Sequence, residues 1–281
     1  ISHALEEALE LADNVTVLRD GEVVACRPTQ GLTRGKLVEL MVGRHVGIVE
    51  RTEHHDSARD HILRVENLTY ADRVRDVSFE LWRGEVVGLA GLVGSGRSEL
   101  AMSLCGLVRP KRGTIFVGGK RANIRSPRAA IRYGIAYLSE NRKEDGLFPQ
   151  LGILHNLTIS ILDRLTGWIG LVRRRREMAR GRALVGEFAI SIPGIKAKAQ
   201  TLSGGNQQKS LIARLIATDP DILVFDEPTK GVDVGAIEAI HKTIRVLADE
   251  GKAILVISSY LPEIMALSDR VLVMRNGELV A

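Results

Sequence analysis

Glu85–Ser98 has the sequence EVVGLAGLVGSGRS, in which a short apolar run is followed directly by a glycine-rich turn. The apolar run predicts a buried parallel strand, and the residues from the turn to Gly106 predict a helix of roughly ten residues. Glycines allow the backbone N–H groups of the turn to point inward, and the helix N-terminus adds its positive end. This order of elements predicts a phosphate-binding loop, with the Ser98 hydroxyl placed to ligate Mg²⁺. We call Gly91–Ser98 the phosphate loop.

One residue of the phosphate loop departs from the expected pattern. Loops of this kind end in Lys-Ser or Lys-Thr, whereas Arg97 precedes Ser98 here. Arginine keeps the positive charge but presents a wide planar fork instead of a compact ammonium group. We therefore expect nucleotide binding to persist and the transition-state geometry to be impaired. Taken alone, a glycine-rich turn without its lysine is weak evidence for a phosphate site.

A second informative stretch is ILVFDEPT, Ile222–Thr229. Its first four residues are apolar and predict a central strand that is buried on both faces. Asp226 would hold Mg²⁺ through water, and Glu227 would orient and polarise an attacking water. A strand end that merely opens a turn is the alternative, but the position downstream of a phosphate loop favours the catalytic interpretation.

A third stretch is LSGGNQQK, Leu202–Lys209, which we call the signature segment. Ser203 suits the N-cap of a helix over Asn206–Ala217, and the two glycines between them let an anion approach the first helical turn. An ordinary capped helix would explain the serine but neither the two glycines nor the polar residues that follow. The segment therefore predicts a second place where an anion can dock.

Together the three stretches resemble the ABC-type ATPases, and the signature segment has the Asn-bearing form typical of sugar importers. This resemblance implies an α/β fold, a P-loop NTPase domain of the ABC type with a mixed sheet core, an antiparallel β subdomain and an α-helical subdomain. In that family two nucleotide domains pack head to tail. Each signature then contacts the γ-phosphate held by the other domain's loop. The implied role of Ser203, Gly204 and Gly205 is therefore to act in trans.

The resemblance also assigns the candidate site for ATP and Mg²⁺. The expected catalytic positions are Glu227, Ser259 at the switch-histidine position and Glu140 at the position of a glutamine that contacts Mg²⁺. The expected metal ligands are Ser98 and Asp226. The residues expected to bind nucleotide are Tyr70, Gly91, Leu92, Val93, Gly94, Ser95, Gly96, Arg97, Ser98, Glu99, Leu202, Ser203, Gly204, Gly205, Asn206 and Gln207. Tyr70 is near where the family has an adenine-stacking aromatic, and simple packing within a strand is the alternative.

An internal repeat indicates how the chain is organised. Residues 1–25 align without a gap on residues 257–281, with thirteen of twenty-five positions identical at an offset of 256 residues. That offset is about the size of one nucleotide-binding domain plus a linker. We interpret the chain as a fragment of a tandem protein. Its expected parts are a C-terminal remnant of a first ABC domain (1–43), a linker (44–61) and a second ABC domain (62–281) with a helical subdomain at about 150–205.

The repeat exposes an asymmetry between the two copies. His3 stands at the switch-histidine position of the first copy, and Ser259 stands there in the second. Arg97 and Glu140 add two further departures around the same phosphate. We therefore expect the second domain's own site to be degenerate while the signature that it lends to its partner is intact. Independent drift at each position is the alternative.

Other patterns predict individual elements. Ile62–Tyr70 and Asp76–Trp82 alternate like the opening strands of an antiparallel sheet. Ser126 followed by proline predicts a helix start, Ala236–Asp249 has the apolar stripe of a helix covering a sheet, and Leu154–Gln200 is expected to be helical.

The bulk composition sets broad limits. The net charge of +5 and the pI near 9.4 suit a membrane-facing protein and do not by themselves imply nucleic acid. Only two cysteines, Cys26 and Cys105, argue against a disulfide framework or zinc and fit a reducing compartment. No apolar stretch approaches the length that spans a bilayer, so a transport pore would have to be another chain.

The resemblance implies an ATP-hydrolysing, energy-coupling subunit of an ABC importer for a monosaccharide such as ribose, galactose or xylose. It would lie peripherally at the cytoplasmic face of the membrane. Its implied partners are the first ABC domain of the same protein, the transmembrane permease subunits and, indirectly, a periplasmic or extracellular sugar-binding protein, with a homodimer as an alternative for the fragment. We expect no nucleic-acid partner. The transported sugar is not encoded in these motifs.

Two alternatives belong to other classes. A soluble ABC ATPase acting on DNA or ribosomes would be expected to show zinc-binding cysteine pairs, a long coiled-coil insertion or a basic linker, and residues 44–61 are mixed in charge. A nucleotide-binding pseudo-ATPase, in which this half regulates and never hydrolyses, is compatible with the asymmetry of the two copies.

Overall fold

The computed structural model describes residues 9–19, 22–33, 36–37, 40, 61–168 and 170–281. His3 and residues 44–60 of the expected linker lie outside the described residues. The strands of the described part are β1 (Asn14–Arg19), β2 (Glu22–Pro28), β3 (His61–Tyr70), β4 (Val74–Trp82), β5 (Val86–Gly91), β6 (Arg112–Val117), β7 (Lys120–Ala122), β8 (Ile135–Leu138), β9 (Ile222–Asp226), β10 (Ala253–Ile257), β11 (Arg270–Arg275) and β12 (Glu278–Leu279). The helices are α1 (Arg97–Leu104), α2 (Pro127–Arg132), α3 (Ile153–Thr158), α4 (Leu162–Leu165), α5 (Arg174–Glu187), α6 (Gly204–Ile216), α7 (Val234–Asp249) and α8 (Leu261–Leu267).

A six-stranded sheet in the order β12-β11-β5-β10-β9-β8 forms the centre of the fold. Its strands are parallel except for β12, which pairs antiparallel with β11. Strands β5, β9 and β10 are almost wholly buried, as expected for parallel strands covered on both faces. Since the strands are parallel, their carboxyl ends meet at one edge, where ligands of open α/β sheets bind.

Alternate residues of the central strands point to opposite faces and enter different cores. In β10, Ala253, Leu255 and Ile257 belong to one cluster, which includes side chains of β3, β4 and α1. Ile254 and Val256 belong to a second cluster, which includes side chains of α6, α7 and α8. This period of two is the geometry of a strand, and it places one layer on each face of the sheet.

The smaller sheet has the order β4-β3-β6-β7 and is antiparallel throughout. The two strands predicted over Ile62–Tyr70 and Asp76–Trp82 are confirmed as β3 and β4, each beginning one or two residues earlier than expected. The inward residues of this sheet complete the first core cluster. The observed architecture is therefore a mixed central sheet with an antiparallel subsheet on one side.

A third core cluster unites the helical region, with Ile153 and Leu157 of α3 and Leu184 of α5 fully buried. The expectation that Leu154–Gln200 is helical is only partly right. Helix α5 begins at Arg174 after a bridge between Thr166 and Val172, and the residues after Glu187 are irregular. Gly170 has a φ of 76° and Ala189 a φ of 44°, so each interrupts a helical path.

Other expected elements are confirmed. Ser126 caps α2 by accepting a hydrogen bond from the Ala129 amide, with Pro127 at the first helical position. Helix α1 ends at Leu104, just before Gly106, whose φ is 68°. None of the helices in the described ranges is long and apolar enough to cross a membrane.

The hairpin β1–β2 has its own small cluster of buried residues, Val17 and Leu37. The strands pair antiparallel with a register shift between Val17 and Leu18. This hairpin lies in the segment that repeats the C-terminal β11–β12 pair, which is also an antiparallel hairpin. The repeat in sequence is therefore also a repeat in local structure.

We expect Leu255→Ala to lower the free energy of unfolding by about 2–5 kcal/mol, because Leu255 is fully buried in the central strand and its truncation leaves a cavity. Urea denaturation measures this change. The matched control is Val246→Ala on α7, where the side chain is 44% exposed, and a change within about 0.5 kcal/mol is expected. Equal losses in both variants would contradict the assignment of β10 to the core.

Candidate active site

The phosphate loop lies between β5 and α1, and its backbone is held by close contacts that admit only glycine. Gly96 has a φ of 103°, and a Cβ there would lie 2.0 Å from the Arg73 carbonyl oxygen. At Gly91 a Cβ would lie 2.4 Å from the Met274 carbonyl oxygen. The Gly277 amide also donates to the Ser95 carbonyl over 2.9 Å. The loop is therefore shaped by the turns on either side of it before any ligand binds.

The loop leaves polar groups free for an anion. The Ser95 hydroxyl is buried and has no hydrogen-bond partner, whereas Leu92 and Val93 are 84% and 91% exposed. A buried hydroxyl without a partner is costly unless a ligand satisfies it. Glu99 lies in the first turn of α1, one residue after the loop ends. The predicted phosphate-binding residues thus form one cradle at the N-terminus of α1.

Arg97 turns away from solvent instead of reaching over the loop. Its side chain is buried, and its Nη1 donates a hydrogen bond of 2.6 Å to the carbonyl oxygen of Ser258. Ser258 directly follows β10, so the guanidinium crosses from α1 to the neighbouring strand end. In this state the guanidinium is tied to a backbone carbonyl, which differs from a mobile ammonium group that follows the phosphates.

Asp226 ends β9 and is the most strongly perturbed carboxyl group of the site. It is 1% exposed; its Oδ2 accepts a 3.0 Å hydrogen bond from the Tyr137 hydroxyl, and its Oδ1 has no partner. Burial and the nearby charges of Glu140 and Glu227 raise the pKa of Asp226, hydrogen bonds from Ser98 and Tyr137 lower it, and the net result is a pKa of about 6. Burial and the Asp226 carboxylate also raise the pKa of Tyr137 above its usual range, so its hydroxyl remains a donor.

These residues fit a magnesium ion. The Oδ1 of buried Asp226 has no hydrogen-bond partner in the described part of the chain, and the Ser98 hydroxyl is close enough to the carboxyl group to lower its pKa by hydrogen bonding. Oxygen ligands from a carboxylate and a hydroxyl are the donors that Mg²⁺ prefers, with the remaining positions taken by water and phosphate. Ser98 and Asp226 would therefore hold the ion, which would neutralise charge on a bound triphosphate.

Glu227 and Ser259 are joined directly across the edge of the sheet. The Glu227 carboxylate accepts a 2.6 Å hydrogen bond from the Ser259 backbone amide, and the Glu227 amide donates to the Ile257 carbonyl over 2.9 Å. Glu227 also has a φ of 51°, a left-handed conformation that costs energy for a residue other than glycine. The strain turns the carboxylate toward the end of β10, where the Ser259 side chain offers no imidazole.

Glu140 follows β8 and forms an ion pair with Lys230, which lies just beyond the Asp-Glu-Pro-Thr turn. Hydrogen bonding to Glu140 raises the pKa of Lys230. The negative charge of Glu140 also acts on Asp226. The structure thus brings Arg97, Glu140 and Ser259, the three positions that depart from the expected pattern, around the ends of the same strands.

The signature segment is organised by hydrogen bonds within its own helix start. Ser203 caps α6, and its hydroxyl accepts a 3.0 Å hydrogen bond from the Asn206 side chain. Asn206 in turn accepts from the Ser191 amide, and the Gln207 side chain donates to the Leu202 carbonyl. The Leu202 side chain is buried in the third core cluster. The hydrogen bonds of these polar side chains therefore fix the backbone of the turn that contains Gly204 and Gly205.

Arg142 is a functional candidate that the sequence analysis did not single out. Its Nη1 donates to the Gly204 carbonyl and its Nη2 donates to the Gly231 carbonyl, each over 2.9 Å. Burial lowers the pKa of Arg142. One guanidinium thus joins the loop after β8 to the signature segment and to the turn after Lys230. The only signal in the sequence was its place two residues after Glu140.

Tyr70 lies at the end of β3 and is half-buried against the first core cluster. The turn that it opens reaches the phosphate loop, because the Arg73 carbonyl is the atom that excludes a side chain at Gly96. The geometry therefore brings the Tyr70 turn next to the loop. Its packing against the core agrees equally with a structural role.

Comparisons with known proteins show which family the chain resembles. The sequence profile described as ABC transporter matches residues 74–230. A ribose import ATP-binding protein of Rubrobacter xylanophilus is 46% identical over 277 residues, which are 99% of this chain and 55% of that protein. A xylose import ATP-binding protein of Geobacillus kaustophilus is 41% identical over 286 residues, covering 99% of this chain and 56% of that protein. The chain thus spans about half the length of the curated relatives it matches.

The fold is also similar to solved structures. A nucleotide-free ATP-binding cassette from an ABC transporter superposes with a TM-score of 0.69 at 25% identity, over 79% of this chain and 90% of that one. A dimeric ATP-binding cassette with ADP and phosphate bound superposes with a TM-score of 0.67 at 21% identity, over 78% of this chain and 97% of that one. At 21% identity, the similarity to the dimeric cassette shows a shared fold alone.

We expect Asp226→Asn to be more stable than the unmodified chain at pH 8 without magnesium. The folded-state pKa of Asp226, about 6, lies above its ordinary value of 3.8, so ionisation destabilises the folded state as the pH rises through 6. A rise of about two units corresponds to an advantage of up to about 3 kcal/mol for the neutral asparagine. Urea unfolding at pH 8 and at pH 4 measures the difference, which should nearly vanish at pH 4.

The matched control for this experiment is Asp163→Asn, which removes an exposed carboxylate on α4. It should change the unfolding free energy by less than about 0.5 kcal/mol at either pH. If Asp226→Asn were less stable than the unmodified chain at pH 8, ionisation of the buried Asp226 carboxyl group would not destabilise the folded state as predicted.

We expect Arg142→Ala to loosen the signature segment, because two backbone carbonyls lose a charged donor. Amide hydrogen exchange over residues 203–207 and 229–232 should accelerate by at least about tenfold, with little change over residues 91–98. Arg142→Lys should restore part of the protection, because an ammonium can still reach one carbonyl. The control is Arg83→Ala, which breaks an exposed ion pair with Asp221. Unchanged exchange in Arg142→Ala would contradict the positioning role.

Proposed function

The chain belongs to the ABC transporter family, and from that premise we propose that it is the second nucleotide-binding domain of a tandem ATPase subunit. This subunit would drive the import of a monosaccharide. The relatives that match 99% of the chain are named for ribose and xylose import, and they are nearly twice its length. The ATPase class follows from the family. The sugar, the tandem arrangement and the partners are part of the proposal.

The observation that carries the proposal is the contrast between the chain's own pocket and its signature segment. In the pocket, the Arg97 guanidinium is bound to the Ser258 carbonyl, and Ser259 offers no imidazole to Glu227. In the signature segment, Ser203 is exposed and caps the helix, and the two glycines follow it in the first helical turn. We propose on this contrast that the pocket binds nucleotide but hydrolyses it slowly, and that the main contribution of this domain is the signature that it lends to its partner.

The position of the signature segment supports action in trans. The nearest atoms around Gly204 belong to Gly231 and Arg142, and those around Gly205 belong to Ala236, Asp233 and Val232. None of these atoms comes from the phosphate loop of the same domain. We propose that a second domain supplies the phosphate to Gly204 and Gly205, and that this domain is the first ABC domain of the same protein.

The chemistry assigned to this chain's residues follows from the site. The phosphate loop and the N-terminus of α1 bind the triphosphate, and the Ser95 hydroxyl satisfies a phosphate oxygen. Asp226 and Ser98 hold Mg²⁺, which supplies charge neutralisation when bound. Glu227 is the candidate that orients water, and its hydrogen bond to the Ser259 amide fixes its direction. With Arg97 tied to Ser258, the transition-state charge is stabilised less well than by a mobile lysine.

A cavity of about 540 Å³ is the proposed contact with the permease. It lies beside β8, and its apolar lining includes Ala130 and Ile131 of α2 and Leu211 and Leu215 of α6. It also reaches Tyr137, whose hydroxyl is bonded to Asp226. A short apolar segment from a transmembrane subunit that filled it would contact the same helix that begins with the signature segment. Peripheral attachment at the cytoplasmic face of the membrane is part of the same proposal.

We expect two substitutions in the full-length tandem protein to have opposite outcomes. Ser203→Arg should lower steady-state ATPase activity by at least about tenfold, because it blocks the turn that serves the partner's pocket. Glu227→Gln should change the rate by less than about twofold, because this pocket contributes little turnover. Sugar uptake in vesicles should follow the same order.

The controls are nucleotide affinity and folding, which both variants should keep. Full activity in Ser203→Arg would refute action in trans. A large loss in Glu227→Gln would instead show that this domain's own pocket hydrolyses ATP. An unchanged ATPase rate in both variants would favour the regulatory pseudo-ATPase alternative.

A further inference from the structure

A strongly basic surface lies away from the nucleotide site. Between Glu99 and Glu140 the sequence contains no Asp or Glu. The same stretch carries eight basic residues, all of them exposed: Arg109, Lys111, Arg112, Lys120, Arg121, Arg125, Arg128 and Arg132. Such a density of one sign raises the local potential and attracts anions. The function proposed above does not use this surface.

Three of these arginines converge on one cavity of about 450 Å³. Arg109 comes from the connection between α1 and β6, Arg121 from β7, and Arg125 from the residues before α2. The fold thus gathers three separate segments at the edge of the antiparallel sheet. A cavity of this size is in the range that holds a small ligand.

The cavity is lined by buried apolar side chains and by one hydrogen-bonded pair of polar side chains. Leu68, Ile115 and Ile124 line it and are buried. The Asn123 side-chain oxygen accepts a 2.9 Å hydrogen bond from Arg125 Nε. This contact orients the Arg125 guanidinium and leaves its two terminal nitrogens to bind something else.

The three guanidinium groups have no carboxylate partner within the described ranges. Glu66 is on the neighbouring strand, opposite Thr114, and it pairs with Arg64 over 3.3 Å. It does not line the cavity. Converging positive charges repel one another unless an anion lies between them.

The cavity is separate from the nucleotide site. None of its lining residues belongs to the phosphate loop, to the strand ends that carry Asp226 and Glu227, or to the signature segment. It lies next to α2, whose Ala130 and Ile131 line the cavity assigned to the permease. A ligand here would therefore sit beside the proposed membrane-facing side of the domain.

We propose that Arg109, Arg121 and Arg125 form an anion site for a phosphate ester, either the headgroup of an anionic phospholipid or a small soluble phosphate. Planar guanidinium groups bind phosphate oxygens in pairs, and three of them match the oxygens of one phosphate group. The apolar wall at Leu68 and Ile124 accommodates the carbon atoms of the ester.

The test compares two triple variants that remove the same charge. Arg109→Gln/Arg121→Gln/Arg125→Gln removes the three positive charges that line the cavity. Lys120→Gln/Arg128→Gln/Arg132→Gln removes three exposed charges of the same basic stretch that do not line it. Binding is measured by calorimetry with inorganic phosphate and with glycerol 3-phosphate, in the presence of saturating Mg-ADP to occupy the phosphate loop. Flotation uses phosphatidylcholine vesicles with and without phosphatidylglycerol, at about 0.15 M ionic strength.

The expected result is a loss of affinity of at least about tenfold in the cavity variant and less than about threefold in the control variant. Binding of glycerol 3-phosphate or phosphate identifies a soluble ligand, and binding only to vesicles with phosphatidylglycerol identifies a lipid headgroup. Thermal unfolding checks that both variants fold, and the single variant Arg121→Gln replaces the triple if it does not.

Three outcomes would overturn the proposal. Equal losses in the two triple variants would mean that only the overall charge matters. No binding of any probe by the unmodified chain would mean that the cavity is not an anion site. A third outcome is tighter binding of a short DNA duplex than of any phosphate ester. If both triple variants weakened that DNA binding equally, the surface would be assigned to a polyanion. Each outcome leaves nucleotide binding at the phosphate loop measurable on its own, so the two proposals fail separately.

Discussion

The parallel register of three central strands is the constraint on which the site depends. Leu89 of β5 pairs with Ile257 of β10, and Ile257 pairs with Asp226 of β9. This register brings the phosphate loop, the carboxylates that follow β9 and the residues that follow β10 to one edge of the sheet. A slip of one residue would turn Asp226 to the other face and separate it from Ser98. Apolar burial of the strands therefore also fixes the distances between polar groups that are far apart in sequence.

The electrostatics of that edge show a site that is incomplete without cations. Asp226 is buried with one unpartnered oxygen, and its pKa is raised to about 6 by burial and by the charges of Glu140 and Glu227. Among the described residues, Tyr137 donates a hydrogen bond to it, and hydrogen bonding by Ser98 also lowers its pKa. Such a carboxyl group destabilises the fold at neutral pH, and the Mg²⁺ ion that we propose to bind there would relieve this cost. Stability and function oppose one another at this residue, as they often do at active sites.

Arg142 and Arg97 bind backbone carbonyls in two different parts of the site. Arg97 is tied to the Ser258 carbonyl on the chain's own pocket, and Arg142 joins the Gly204 and Gly231 carbonyls behind the signature segment. The first contact favours a static pocket, whereas the second holds a turn that we propose faces another domain. Glu140 and Lys230 form an ion pair between the same two loops.

The sequence by itself determined the strand, glycine turn and helix of the phosphate loop, the capped start of α6 and the carboxylates at the end of β9. Each of these is set by local backbone geometry or by an apolar period that can be recognised within a few residues. The motifs resemble those of the ABC family, and the profile match and the relatives confirm that resemblance. Only the tertiary structure decided that Arg97 bonds to Ser258, that Tyr137 donates to Asp226, that Arg142 joins the signature segment to Gly231 and that three arginines share one cavity. The hydrogen bonds of Arg97, Tyr137 and Arg142 join residues 62 to 161 positions apart, and their energies depend on burial and direction, which no local pattern encodes.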